Sequence, residues 1–254
     1  MTARRFYVLA ALAAVVVLSA AAADPADEWV AKARAFLGAE SALNAVKSLH
    51  FEGSIDMVER VPDPADATKT IERPLHFTID IVFQKPMQQR LIRRSDKIEW
   101  TTALDGYDGW ERVSDRTGQT KPRIILLDPI NIKRLRATTL ENLSFYAKPD
   151  QDSRQVRLLG DVTLDGLAGV KLSFTHANGI VFFRSFEKST GRLIKTEIQN
   201  GGEIREEGEM FVNGIRFPRK VLNKSADGRV TVITFDKVTV GERFPAEAFA
   251  VPPL

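Results

Sequence analysis

The chain has 254 residues, 44% of them hydrophobic, and 0 cysteine. That is material for one large core or two small ones, and it excludes disulfides, thiolate metal sites and an acylated cysteine. Its 36 basic residues fall to 34 once Arg4 and Arg5 are set aside as part of a leader, against 33 acidic residues. A chain so near neutrality, despite a sequence pI of about 9.1, is not built to hold nucleic acid through its charge.

Arg4 and Arg5 precede an uncharged run over residues 6–19 and then the small residues 20–23. That order is the one of a secretory signal peptide, with cleavage expected after Ala23. A short anchor helix is the alternative, but the run is rich in alanine and falls below the ~20 residues that a membrane span prefers. Residues 1–23 are therefore read as a removed signal, by the Sec or the Tat route, and residues 24–254 as a single domain that is exported, soluble, periplasmic and unlipidated.

After the leader, Asp24 and Pro25 offer a helix start, and Trp29, Val30, Ala33, Phe36 and Leu37, then Ala42, Leu43 and Val46, recur at intervals of three and four. This spacing predicts an amphipathic helix, or two broken at Gly38. Two alternating strands follow. Leu49, Phe51, Gly53, Ile55 and Met57 oppose His50, Glu52, Ser54 and Asp56; Leu75, Phe77, Ile79, Ile81 and Phe83 oppose His76, Thr78, Asp80 and Gln84. Each has one apolar face. Between them, residues 61–70 carry two prolines and two aspartates, which predicts a mobile hairpin loop. Residues 88–94 and 97–104 continue the strands, residues 105–109 turn, and residues 110–114 return.

Asp128 and Pro129 then cap a helix predicted over residues 130–147, with Ile130, Ile132, Leu135, Leu140, Leu143, Phe145 and Tyr146 apolar and Lys133, Arg134 and Arg136 on the other face. Residues 154–159 and 162–164 lead into residues 171–240, which read as six strands joined by five short turns rich in glycine and asparagine. The total is about eleven antiparallel strands with two helical segments, a β-rich α+β class. The apolar face of so long a meander has to close on itself, meet a second sheet, or curl around something else.

The order of these pieces carries a resemblance. The helix containing residues 38–43, the strand Leu49-His50-Phe51-Glu52-Gly53, the hairpin from Asp105-Gly106 to Gly109-Trp110, and the Asp128-Pro129 helix come first. Thr190-Gly191-Arg192-Leu193, Asn213-Gly214-Ile215-Arg216-Phe217-Pro218 and the ending from Phe249 to Pro252 follow. In this order the chain resembles the LolA-like superfamily, bacterial periplasmic proteins related to the outer-membrane lipoprotein-sorting carrier. The resemblance spans nearly all of residues 24–254. It implies a single, strongly curved antiparallel sheet forming an incomplete, half β-barrel, with helices covering the concave side and an apolar cavity that takes acyl chains. The residues expected to line that cavity are Phe51, Ile55, Met57, Phe77, Ile79, Ile81, Phe83, Trp100, Trp110, Leu135, Leu140, Leu143, Phe174 and Phe182. Any one of them serves equally well as ordinary core, worth about 1.5–3 kcal/mol when fully buried.

Catalysis finds little support. His50, His76 and His176 are far apart, and no His-x-x-x-His pair or Gly-x-Ser-x-Gly elbow is present. They are expected to be surface histidines. Asp105 and Asp108 flank turn glycines, and Asp63, Asp66 and Asp80 lack calcium-loop spacing, so no metal or cofactor is expected. Arg90, Arg93 and Arg94, the trio Lys133, Arg134 and Arg136, and Arg216, Arg219 and Lys220 are basic clusters; residues 203–209 read as a solvated acidic strand. Two functions stay open: a carrier holding the acyl chains of a lipid or lipoprotein anchor, and an envelope interaction or sensing module with a protein partner on the same scaffold. A monomer is expected in either case.

Overall fold

The computed structural model describes residues 24–147, 154–176, 179–199 and 201–253. The expected leader, and the turn residues Ala177, Asn178 and Asn200, lie outside them. In chain order the elements are α1 (Pro25–Leu37), α2 (Glu40–Ala45), β1 (Ser48–Asp63), β2 (Asp66–Gln84), β3 (Gln88–Arg94), β4 (Ile98–Asp105), β5 (Asp108–Asp115) and β6 (Arg123–Leu126). Then come α3 (Pro129–Ser144), β7 (Gln155–Leu164), β8 (Leu167–Thr175), β9 (Val181–Glu187), β10 (Leu193–Ile198), β11 (Glu203–Glu207), β12 (Met210–Val212), β13 (Ile215–Phe217), β14 (Lys220–Lys224) and β15 (Val230–Val240).

A 13-stranded antiparallel sheet runs in the order β6-β5-β4-β3-β2-β1-β15-β14-β11-β10-β9-β8-β7. The first and last strands meet in its middle, with Leu49 opposite Val240 and Ile55 opposite Ile233. The sheet does not close: β6 and β7, consecutive in the chain, are its two edges, and α3 crosses from one to the other. This is the incomplete barrel expected from the sequence, with thirteen strands rather than about eleven.

Two local departures have physical causes. Residues 61–70 are not a loop, because β1 and β2 stay paired out to Pro62 opposite Thr70 and turn only at Pro64 and Ala65. Asp63 accepts from the Ala65 amide at 2.8 Å and Asp66 from the Thr68 amide at 3.1 Å, which closes the turn. Beyond Asp56 β1 loses β15, and before Thr78 β2 loses β3, so the hairpin leaves the sheet as a two-stranded arm. A free ribbon has an open edge on each strand, and there proline's missing donor costs no ladder bond. The second departure is β12–β13. Gly208 at φ +63 and Pro218 break what the sequence suggested were two continuous strands. The pair between them folds into a separate two-stranded sheet against the main core.

Helix starts follow local chemistry. Asp24 accepts from the Ala26 amide at 2.9 Å ahead of Pro25, and Asp128 accepts from the Asn131 amide at 2.8 Å ahead of Pro129. Gly38 ends α1 where the backbone touches the β12–β13 hairpin: a Cβ there would lie 2.7 Å from the Gly214 carbonyl oxygen. Gly53 sits beside a bulge between β1 and β15, where a Cβ would come within 1.9 Å of the Thr234 oxygen. Only glycine fits at either place.

The core lies in two parts. One gathers Leu43 and Val46, Phe51, Ile55, Phe77, Ile79 and Phe83, Leu143 and Phe145, Met210, Ile215 and Phe217, with Phe235 and Val238. The other gathers Ala26, Ala33, Tyr146, Val156, Val170, Leu172, Phe174 and Phe186. Helix α1 covers the β7–β9 half, and α3 lies against β2 to β5.

Candidate functional site

The inner face of the sheet can be traced through the register. Phe83 lies opposite Leu49 and Gln89, Gln89 opposite Leu104, and Leu104 opposite Gly109. A Cβ on Gly109 would meet Ile132 of α3 at 2.9 Å, and Thr139 of α3 donates to Gln89 at 3.0 Å. Helix α3 therefore lies on this face. Phe51, Ile55, Phe77, Ile79 and Phe83 share it, all buried together, with Met57, Ile81 and Trp100 partly buried against them. Leu143 reaches them from α3. Phe174 and Phe182 belong to the second cluster, the first fully buried and the second partly. Leu135 and Leu140 are half-buried on α3 and join neither cluster.

Trp110 does not join them. It pairs with Ala103, which pairs with Arg90, which pairs with Val82, and Val82 points away from its neighbours Ile81 and Phe83. Trp110 is therefore on the outer face, where its indole nitrogen donates to the Phe249 carbonyl at 2.8 Å. The segment after β15 runs back over this outer face. Phe244 meets His50 edge-on at 5.2 Å and lies under Arg90, Gln84 exchanges hydrogen bonds with the Phe244 backbone, and Phe249 is fully buried. The aromatic ending that the sequence marks out is a clasp on the back of the sheet.

The polar side chains that hold the inner face shut are ones that sequence reasoning passed over. Glu141 of α3 is buried between both halves of the molecule. Its carboxylate accepts from Arg154 at 2.8 Å, meets His176 Nε2 at 2.6 Å and forms an ion pair with Arg184. Burial by itself would raise its pKa, but Arg184, the His176 hydrogen bond and Arg154 win, and the carboxyl is held down at about 2. Arg184 lies over three rings, 4.7 Å from Phe174, 5.1 Å from Tyr146 and 5.3 Å from Phe182. The buried His176 overturns its reading as a surface residue: it shares strand parity with Phe174 and so faces inward. His76 is exposed and pairs with Asp56 at 2.7 Å, and His50 is partly buried between Asp80 and Glu242.

Two arginines close the C-terminus of α3. Arg34 of α1 donates to the Ser144 and Phe145 carbonyls, both at 2.7 Å, and Arg154 donates to the Tyr146 carbonyl at 2.6 Å and to the Ala147 carbonyl. Cations at this end also meet the negative pole of the helix. Arg34 in turn is held by Glu40 and Asn44 of α2. One set of charge-assisted bonds thus joins α1, α2 and α3 to the β7–β9 half.

The solvated acidic strand expected over residues 203–209 forms over Glu203–Glu207, with Glu206, Glu207 and Glu209 exposed, but Glu206 sits on its inward register. It lies opposite Val221, which lies opposite Ile233 and hence Ile55, so it points into the hollow, and it lines a cleft of about 280 Å³ with Phe36, Leu37 and Phe217. Solvent reaches the side chain, yet desolvation by the protein packed around it raises its pKa against the pull of Arg184. On the other half, Arg93 stacks 5.3 Å from Trp100 on the inner face, its pKa lowered by burial and partly restored by Glu111. Among the described residues no group of three His, Cys, Asp or Glu is placed to hold a metal ion, and no helix is long and apolar enough to cross a membrane.

No protein-family model matches the sequence, and no curated protein matches it significantly. The fold does have relatives among solved structures. A LolA superfamily protein of Nitrosomonas europaea superposes with a TM-score of 0.56 at 12% identity, covering 89% of this chain and 97% of the other. A DUF1329 family protein of Desulfovibrio piger gives 0.52 at 13% identity over 89% of this chain and 98% of its own. A putative outer membrane lipoprotein-sorting protein domain of Vibrio parahaemolyticus gives 0.53 at 8% identity over 88% and 97%. An open antiparallel sheet with helices on its inner face, matched over nearly the full length of three such structures, is the LolA-like fold.

Proposed function

We propose that the protein is an exported carrier that holds acyl chains of a lipid or lipoprotein anchor against the inner face of its sheet and performs no chemistry on them. One observation carries this reading. A continuous apolar face from Phe83 to Phe77 is covered by separate small pieces, α2, α3 and the two-stranded β12–β13 hairpin, and not by one continuous second layer. Those pieces place Leu143, Phe145, Met210, Ile215 and Phe217 on the face, side chains that acyl groups replace when the pieces lift. Burial of an acyl chain is worth about 0.8 kcal/mol per CH₂, and a single myristoyl chain holds only marginally to a bilayer. A ligand with several chains therefore gives a carrier enough apolar contact to compete with the membrane. The buried carboxyl of Glu141, kept ionised by two arginines, is suited to fastening and not to proton transfer.

The test is mass spectrometry of protein purified without detergent. A stoichiometric lipid or acylated peptide is the expected result; a lipid-free protein that also takes up no fluorescent fatty acid would sink the reading. The β1–β2 arm favours a second reading, an envelope interaction module that meets a protein partner, because it stands clear of the sheet and, beyond Met57 and Leu75, adds no residue to either core cluster.

A further inference from the structure

A second cleft lies away from the inner face. It lies behind the start of β1, holds about 570 Å³, and has Ser48 and the segment after β15 as its walls, with Lys47, Lys85 and Arg243 around it. Backbone bonds fix this arrangement: the Lys85 amide donates to the Lys47 carbonyl at 2.8 Å, the Gly241 amide donates to the Ser48 carbonyl at 3.1 Å, and the Ser48 hydroxyl donates to the Glu242 carbonyl.

The charges here are one-sided. None of Lys47, Lys85 and Arg243 forms an ion pair among the described residues, whereas Arg90, stacked on Phe244 of the same wall, pairs with Asp80. Glu242, the one carboxylate in the lining, faces away from them to His50 at 2.8 Å. Burial and the like charges of Lys47 and Arg34 hold Lys85 below the usual lysine range, the state a lysine leaves when an anion arrives. Like charges brought together without a counter-ion cost folding energy, and a cleft shaped around them is where an anion returns it.

We propose that this cleft binds a phosphate group. Lys47 and Lys85 act as point charges and Arg243 as a fork on its oxygens, with Phe244 and Pro245 offering an apolar wall to whatever the phosphate carries. The ligand is either a soluble phosphate ester or the headgroup of a phospholipid. The proposal is independent of the acyl-chain reading, since the cleft and the inner face share no residue.

The experiment titrates the protein with inorganic phosphate by calorimetry at low ionic strength, and with phosphatidylglycerol vesicles by co-sedimentation, using phosphatidylcholine vesicles and acetate as references. The double variant Lys85→Gln with Arg243→Gln is expected to bind about tenfold more weakly, with an unchanged thermal melt, and Lys85→Arg to stay within about threefold of the parent. Phosphate binding that the double variant loses supports a soluble ester. Vesicle binding that it loses, without phosphate binding, supports a headgroup. Binding that the double variant leaves intact, acetate held as tightly as phosphate, or no binding to either probe overturns the proposal.

Discussion

Glu141 shows what a single buried charge does in this molecule. Its two oxygens meet Arg154, His176 and Arg184 on three different segments of the chain. Glu141→Gln keeps the volume but leaves two buried guanidinium groups without a counter-charge. The expected cost is about 3–5 kcal/mol, the range for removing one partner of a buried pair. The pH dependence has a definite sign. The folded carboxyl titrates near 2 against a reference of 4.5, so its contribution is fully present above that reference and drains away as pH falls toward 2. Urea melts of the parent between pH 5 and pH 2 are expected to lose stability through this window, and those of Glu141→Gln to start lower and fall less. Equal slopes for the two proteins would show that Glu141 is not the group responsible.

At the scale of elements, the β1–β2 arm is the part least tied to the rest. From Met57 opposite Leu75 outward it has no third strand, and its salt bridges, Arg60 with Glu72 and Arg73 with Glu59, are exposed and worth about 0–1 kcal/mol each. Replacing residues 60–72 by an Asn-Gly turn should therefore shift stability by less than about 1 kcal/mol in a chemical melt. If the arm is a docking element, the shortened protein will keep its lipid and lose an envelope partner that the parent pulls down. The arm was half legible in the sequence: the alternation around Phe77 marked the strands, but Pro62, Asp63 and Pro64 resemble a loop, because a ribbon tolerates prolines that a central strand does not. Parity explains the other gains and losses. Alternation puts Phe51, Ile55, Phe77, Ile79 and Phe83 on one face correctly, whereas Trp110, expected in the cavity with them, follows directly on the inward-facing Gly109, shares its parity with Arg112 and so lies on the back. The same parity, applied to Phe182, Arg184 and Phe186, or to Phe174 and His176, would have put Arg184 and His176 inside. A charged residue in an apolar register is the signal, and its partner Glu141, on a helix far along the chain, is not visible without the fold.

At the scale of the whole molecule, the question is whether the inner face opens. The sheet is one body, and its two halves are joined over the hollow by α3, which touches β2 to β5 through Ile132 and Thr139 and touches β7 to β9 through Glu141. A carrier with this plan is expected to load by moving α3 relative to the sheet. The absence of cysteine makes that directly testable, since any disulfide introduced will be the only one. A Cβ at Gly109 would lie 2.9 Å from Cγ1 of Ile132, the position that a sulfur takes in Ile132→Cys, so the pair Gly109→Cys with Ile132→Cys is within reach of an S–S bond of about 2 Å. Oxidised, this variant should take up a fluorescent fatty acid at least about tenfold more weakly than the parent, and reductant should restore uptake, because the lock acts on the closed state and leaves the apolar face intact. Full uptake by the oxidised form would mean that α3 stays seated and that ligand enters elsewhere, past the β12–β13 hairpin. No uptake by the parent, the oxidised or the reduced protein would remove the carrier reading altogether and leave the fold as a rigid scaffold whose contacts are made from outside.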